Sequence, residues 1–261
     1  MDIVIRKDAE AAAEFVAKLL VKEVCKKPAL TLGLATGRTM ESVYDKIVAM
    51  HKDGKVDFSK CSSFNLDEYI GLAPEDENSY RSYMNKFLFD RVNIDKSKTN
   101  VPNGLAADPY AECKRYEDAI NASGGIDFQL LGIGMSGHIG FNEPMSSLSS
   151  LTSVKALTKA TIDVNSKLFP KPEMMPTLAI TMGVKTILNT KKTVLMATGE
   201  SKADIIAKAV EGPMCAAVTA SALQMHENCI VVVDEAAAKN FKMRDWYDWV
   251  FAKEPQWAEY R

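Results

Sequence analysis

Apolar positions along this chain follow two alternating rhythms. Between residues 8 and 26 (DAEAAAEFVAKLLVKEVCK), Ala12, Phe15, Val16, Leu19, Leu20 and Val24 recur close to every 3.6 residues. That spacing predicts an amphipathic helix, and Pro28 ends it. A short run, ALTLGL (29–34), then reads as a buried strand. The alternation continues. Helices are predicted over 40–53, 79–92, 108–121 and 201–212. Strands are predicted over 61–66, about 126–132, 177–182, 193–198 and 229–234. The helix at 201–212 opens on a Ser N-cap and stops at Gly212. Apolar strands separated by helices predict an α/β protein whose mostly parallel sheet is covered on both faces. No repeat, low-complexity tract or composition break divides the chain, so residues 1–261 are expected to form one domain.

Composition narrows the class. The hydrophobic share is 47%, the charged share 25%, and the net charge −2, all ordinary for a globular protein. Such a balance gives no bulk attraction for nucleic acid or an anionic membrane surface. An anionic substrate would need local groups to hold it. The five cysteines, Cys25, Cys61, Cys113, Cys215 and Cys229, are widely spaced and form no CxxC pair, which fits reduced thiols in the cytoplasm. The N-terminus MDIVIRKDAE lacks the apolar core of a signal peptide, and no run approaches the roughly 18 apolar residues of a membrane span. All three tryptophans, Trp246, Trp249 and Trp257, lie in the tail 244–261, expected as a terminal helix docked on the body or as a subunit contact in a homo-oligomer.

Four segments carry candidate chemistry. The first is LGIGMSGHIGFNEP (131–144), at a strand end. Four glycines, Gly132, Gly134, Gly137 and Gly140, fall within nine residues, and His138 and Glu143 stand five apart. Glycines let a backbone approach a ligand closely, and a His–carboxylate pair can pass a proton to a substrate oxygen. The second is LGLATGRTMESVY (32–44), where Thr36, Gly37, Arg38 and Thr39 form a strand-to-helix turn able to hold phosphate on backbone amides. It is neither a Walker loop nor GxGxxG, and an ordinary turn is the alternative. The third is SFNLDEYIGL (63–72), placing Asp67 and Glu68 where the chain leaves a strand for a loop-like stretch, functional or else a helix cap or a solvated loop. The fourth is Lys202, in the first turn of a helix, against the dipole unless it serves an anion. Strand ends after residues 34, 65 and 132 converge on one crevice if the sheet is doubly wound. A metal is not expected: the histidines are His51, His138 and His226, with no HExxH and no cysteine near His138.

Taken together, ATGRT, FNLDEYIGL, SYRSYMNKFLFD, GHIGFNEP, NSKLF and GESK resemble the glucosamine-6-phosphate deaminase/isomerase family, in order and spacing, from about residue 30 to about 240. The resemblance implies a Rossmann-like fold and conversion of glucosamine 6-phosphate and water to fructose 6-phosphate and ammonia, with no cofactor. His138, tuned by Glu143, would open the sugar ring, and Asp67 would carry the C2 proton to C1. Phosphate would fall to Thr36–Thr39, Lys202 and Lys167, the last commonly arginine in the family. Two departures stand out. Ser136 replaces an acid or amide that assists ring opening, and Arg38 replaces a small residue in the phosphate turn. Ser153 and Lys155 stand where allosteric relatives carry a basic pair, so activation by N-acetylglucosamine 6-phosphate is expected to be weak or absent. Galactosamine 6-phosphate as substrate, a 6-phosphogluconolactonase, and a sugar-phosphate-binding protein without catalysis are the competing readings. The Ser-rich start of 150–185 and its Pro170–Pro176 run make that segment the expected mobile one.

Overall fold

The computed structural model describes residues 1–261. In chain order its regular elements are β1 (Asp2–Arg6), α1 (Ala9–Lys26), β2 (Thr31–Leu34), α2 (Arg38–Lys52), β3 (Ser62–Asn65), β4 (Asp67–Tyr69), α3 (Tyr80–Phe87), β5 (Thr99–Asn100), α4 (Pro109–Ala122), β6 (Phe128–Leu131), β7 (Ser153–Ala156), α5 (Lys159–Asn165), β8 (Leu178–Thr181), α6 (Val184–Leu188), β9 (Thr193–Ala197), α7 (Ala203–Glu211), β10 (Cys229–Asp234) and α8 (Arg244–Lys253). Local chemistry sets several of these bounds. Asp8 caps α1 by accepting from the Ala11 amide at 2.8 Å. Asp108 caps α4 ahead of Pro109, whose missing N–H costs nothing at the first helical position.

Seven strands make one parallel sheet in the order β1-β10-β9-β6-β2-β3-β5. From β2 the chain winds outward through β3 to β5. From β6 it winds the opposite way through β9 to β10. The order therefore reverses between β2 and β6, and the crevice beyond their carboxyl ends is where an open sheet receives a ligand. Gly33 on β2 leaves room for the side chain of Gln129, its partner on β6: a Cβ there would stand 2.0 Å from Gln129 Oε1. Gly33 thus serves sheet packing rather than the phosphate turn. One core of 58 buried residues joins the sheet to its covering helices.

Several expectations are corrected. Asp67 and Glu68 do not sit in a loop; they open β4, which pairs antiparallel with β8, and β8 pairs with β7. The strand predicted at 177–182 therefore belongs to this small second sheet, not to the parallel one. Leu157, Phe169, Met175 and Ala179, around this second sheet, bury against Tyr69 and Phe141. Ser201 is not the helix cap: α7 starts after a 3-10 turn, Glu200–Lys202, with Lys202 at the cap position. β1, unanticipated, extends the sheet beside β10. The tail docks as expected through Trp257, whose ring lies 5.9 Å from Phe15 and 5.7 Å from Phe251, while Trp246 and Trp249 face outward. No helix is long and apolar enough to cross a membrane.

Candidate active site

The glycine loop leaves β6 and folds back on itself. The Gly134 amide donates to the His138 carbonyl at 2.9 Å, and the Gly137 amide to the Gly134 carbonyl at 3.0 Å. Gly137 has φ +83° and sits against Ile205 and Val218, so a side chain there would be strained and crowded. Gly134 is bare for another reason: a Cβ would fall 2.1 Å from His138 Nε2. The imidazole lies directly over that backbone.

Three side chains meet on this loop. His138 Nδ1 lies 2.9 Å from Glu143 Oε2 and 2.7 Å from Ser136 Oγ, and the Ser136 hydroxyl is 3.3 Å from the same carboxylate oxygen. The other Glu143 oxygen accepts from the Thr158 hydroxyl at 3.1 Å, from the Thr158 amide at 3.3 Å, and from the Thr161 hydroxyl. Burial works to raise the Glu143 pKa, but the His138 and Thr161 hydrogen bonds outweigh it and bring it down to about 2. An ionised carboxylate only accepts, so Nδ1 carries the proton and Nε2 is the nitrogen left to work on a substrate. Ser136 shares Nδ1 with Glu143 rather than reaching Nε2. It is thus not arranged as a nucleophile activated by the imidazole.

Asp67 meets the loop from the second sheet. Gly140, at φ +56°, brings its Cα so near that a Cβ would stand 3.3 Å from Asp67 Oδ2 and 2.8 Å from Thr181 Oγ1. Asp67 is buried, and no protein donor reaches its carboxyl. Burial, with the charge of Glu68 adding to it, pushes the Asp67 pKa up to about 8. A carboxylate so placed is a far stronger base than one in water.

Two neighbouring strand ends supply anion-binding groups. After β2, Gly37 has φ +106° and opens α2 with no side chain capping the first-turn amides. Tyr83 fixes this turn by donating to the Gly37 carbonyl at 2.9 Å. Thr36 and Thr39 are half-buried beside it. Arg38 is exposed and makes no ion pair. After β9, Gly199 turns at φ +88°, its amide held at 3.0 Å by both carboxylate oxygens of buried Asp234. Lys202 then reaches back, its Nζ 2.7 Å from the Ile133 carbonyl at the root of the glycine loop, and burial lowers its pKa. Lys167 lies exposed on the 3-10 turn Ser166–Leu168, and no hydrogen bond or ion pair joins it to the other predicted phosphate groups.

Sequence reasoning passed over Thr158, Thr161 and Asp234. Thr158 caps α5 with its hydroxyl, and a Thr-x-x-Thr pattern at a helix start was the available signal. Nothing in the sequence ties that helix to Glu143.

The strand ends on either side of the switch point thus carry a buried carboxylate, a His–carboxylate pair and two glycine turns, groups suited to proton transfer on an anionic substrate. The sequence model of the family described as glucosamine-6-phosphate isomerases/6-phosphogluconolactonase matches residues 6–232, and the chain belongs to that family. It is 53% identical over 247 residues to the glucosamine-6-phosphate deaminase of Shewanella halifaxensis, covering 95% of this chain and 94% of that protein. The Clostridium botulinum deaminase is 44% identical over 244 residues, 94% of this chain and all (100%) of that protein. Among solved structures, a monomeric glucosamine-6-phosphate deaminase superposes with a TM-score of 0.90 at 39% identity, covering 92% of this chain and 100% of that one. A 6-phosphogluconolactonase from Leishmania guyanensis, at 19% identity and a TM-score of 0.69 over 91% of this chain and 97% of that one, shares the fold.

Proposed function

We propose that this chain is an enzyme that converts glucosamine 6-phosphate and water to fructose 6-phosphate and ammonia, as a single domain acting in the cytoplasm in the catabolism of amino sugars such as N-acetylglucosamine. Near-full-length likeness to named deaminases supports the reaction. The observation that carries the mechanism is the approach of Asp67 Oδ2 to Gly140, on the loop that holds the His138–Glu143 pair. Nε2 of His138 takes the proton of the anomeric hydroxyl and delivers it to the ring oxygen as the bond between C1 and that oxygen breaks and the aldehyde forms. Glu143 holds the ring and offsets the charge it gains. Asp67 removes the C2 proton and delivers it to C1, giving the enolamine and then the C2 imine. Addition of water at C2 releases ammonia and leaves the ketone. The Gly37 turn, with Thr36, Arg38 and Thr39, and Lys202 receive the phosphate, and Lys167 swings in from its exposed turn to add a further positive charge. Ser136, which lacks a carboxylate, assists only through its hydrogen bonds to His138 and Glu143. Activation by N-acetylglucosamine 6-phosphate is weak or absent, because Ser153 brings no charge where allosteric relatives carry a basic pair. Trp246 and Trp249 supply a face for a homo-oligomer.

Ammonia release from glucosamine 6-phosphate, with galactosamine 6-phosphate alongside and Asp67→Asn as control, tests this reading. Release from the gluco epimer that vanishes in the variant supports it. Release from the galacto epimer alone reassigns the substrate, and release from neither overturns the deaminase.

A further inference from the structure

Thr181 and Asn142 are fully buried, and both lie where the glycine loop meets the second sheet. Thr181 ends β8 and stands directly opposite Asp67 in the antiparallel register. Partners in such a register share a face, here the one toward Gly140: a Cβ on that glycine would lie 2.8 Å from Thr181 Oγ1 and 3.3 Å from Asp67 Oδ2. The Thr181 hydroxyl accepts from the Phe141 amide at 3.0 Å and donates to the Met182 carbonyl at 3.4 Å. The amide it holds belongs to the peptide that leaves Gly140, whose Cα is the point of approach to Asp67. Asn142 closes the same joint. Its Nδ2 donates to the Met182 carbonyl at 2.8 Å and, back in the loop, to the Ile139 carbonyl at 2.9 Å. The Met182 amide in turn donates to the Leu66 carbonyl at 2.7 Å, one residue before Asp67. Residues 181 and 182 therefore hold the loop that carries His138 on one side and the chain that carries Asp67 on the other.

We infer that Thr181 is a positioning residue: its hydroxyl sets how the His138 loop stands against Asp67, and Asn142 locks the joint. The role in catalysis rests on the function proposed above, but the joint itself does not. The Thr181 oxygen is engaged with backbone both as acceptor and as donor, so its part is geometric rather than chemical. Valine has nearly the same shape and is equally at home in a strand, so what threonine adds here is the hydroxyl. A hydroxyl that only satisfied a buried amide would change stability and leave kcat alone.

The test compares the full-length parent with Thr181→Val and Thr181→Ser, using glucosamine 6-phosphate as substrate. Reaction geometry is sensitive to shifts of about 1 Å, so kcat of Thr181→Val is expected to fall about 10- to 100-fold while KM stays within about twofold. Thr181→Ser keeps the oxygen and is expected to return kcat to within about threefold of the parent. Full kcat in the valine variant overturns the assignment. So does an equal loss in both variants, which would give the effect to the methyl group. Should Thr181→Val not fold, Thr181→Ala against Thr181→Ser makes the same comparison, since the two differ only by the hydroxyl. The joint also has a readout free of turnover. Hydrogen exchange at the Phe141 amide, referred to β10 amides that report global opening, is expected to quicken at least about tenfold in Thr181→Val and to keep the parent rate in Thr181→Ser. If the parent releases no ammonia, the deaminase reading fails and this exchange decides the joint alone; an unchanged rate in the valine variant refutes it.

Discussion

Met145 is the only residue other than glycine that this chain folds with a positive φ, +71°. It follows Pro144, and the Ser146 amide closes the turn onto the Glu143 carbonyl at 3.0 Å. Pro followed by a positive φ is the order of a type II turn, whose third position favours glycine. The turn starts at Glu143, so the strained residue lies two positions from the carboxylate that orients His138. Met145→Gly is expected to stabilise the protein by about 1 kcal/mol, read as a higher urea midpoint at unchanged slope. A lower midpoint would show that the methionine side chain holds the turn. Thr161 acts on the same carboxylate from the other side. Thr161→Val removes a hydroxyl donor to a charged group, worth about 1.5–3 kcal/mol. If that loss is felt in the transition state, kcat falls about tenfold or more, with Thr161→Ser restoring it. Full activity in Thr161→Val would sink the idea that α5 steadies Glu143. At this scale the sequence shows His138, Glu143 and Asp67, because polar side chains among glycines at strand ends have few structural uses. It does not show Thr158 or Thr161, which reach the site only through the fold.

At the scale of elements, the glycine loop depends on which of its glycines are crowded. A Cβ on Gly134 would collide with the His138 ring, whereas one on Gly132 meets nothing within 4 Å. Gly134→Ala is therefore expected to displace the imidazole and cost about 100-fold in kcat with little change in Tm, while Gly132→Ala stays close to the parent. Equal activity of the two variants would refute this assignment. The sequence treats the four glycines alike, because spacing carries no information on what faces each Cα. Elements with a full apolar period were legible within a residue or two: α1, β2, α4, β9 and β10 lie where periodicity put them. β7 (SVKA) buries neither face fully, since its residues are half-buried or exposed, and it is too short for its Val154 and Ala156 alternation to stand out. It is a strand because β8 offers its edge. β4 was misread for the same reason: DEY carries no strand pattern, and pairing with β8 supplies one.

Over the whole molecule, ionisation links the site to stability. Glu143 has its pKa lowered by folding to about 2, so its contribution is present above the unfolded value of about 4.5 and is lost as pH falls toward 2. Asp67 behaves oppositely. Folding raises its pKa from 3.8 to about 8, so its contribution is full below about pH 4 and is lost as pH rises through 8. At neutral pH the fold therefore bears the cost of a largely buried carboxyl that no protein donor reaches, a cost a catalytic base justifies and a structural residue would not. Asp67→Asn removes the ionisable group while keeping its size. The difference in Tm between variant and parent should be near zero at pH 4, then turn positive and grow toward pH 8, corresponding to at least about 1 kcal/mol there. Thermal melts across that range decide it. A parent that is the more stable protein at pH 8 would mean that Asp67 is satisfied in the fold, and the argument for its strength as a base would go with it.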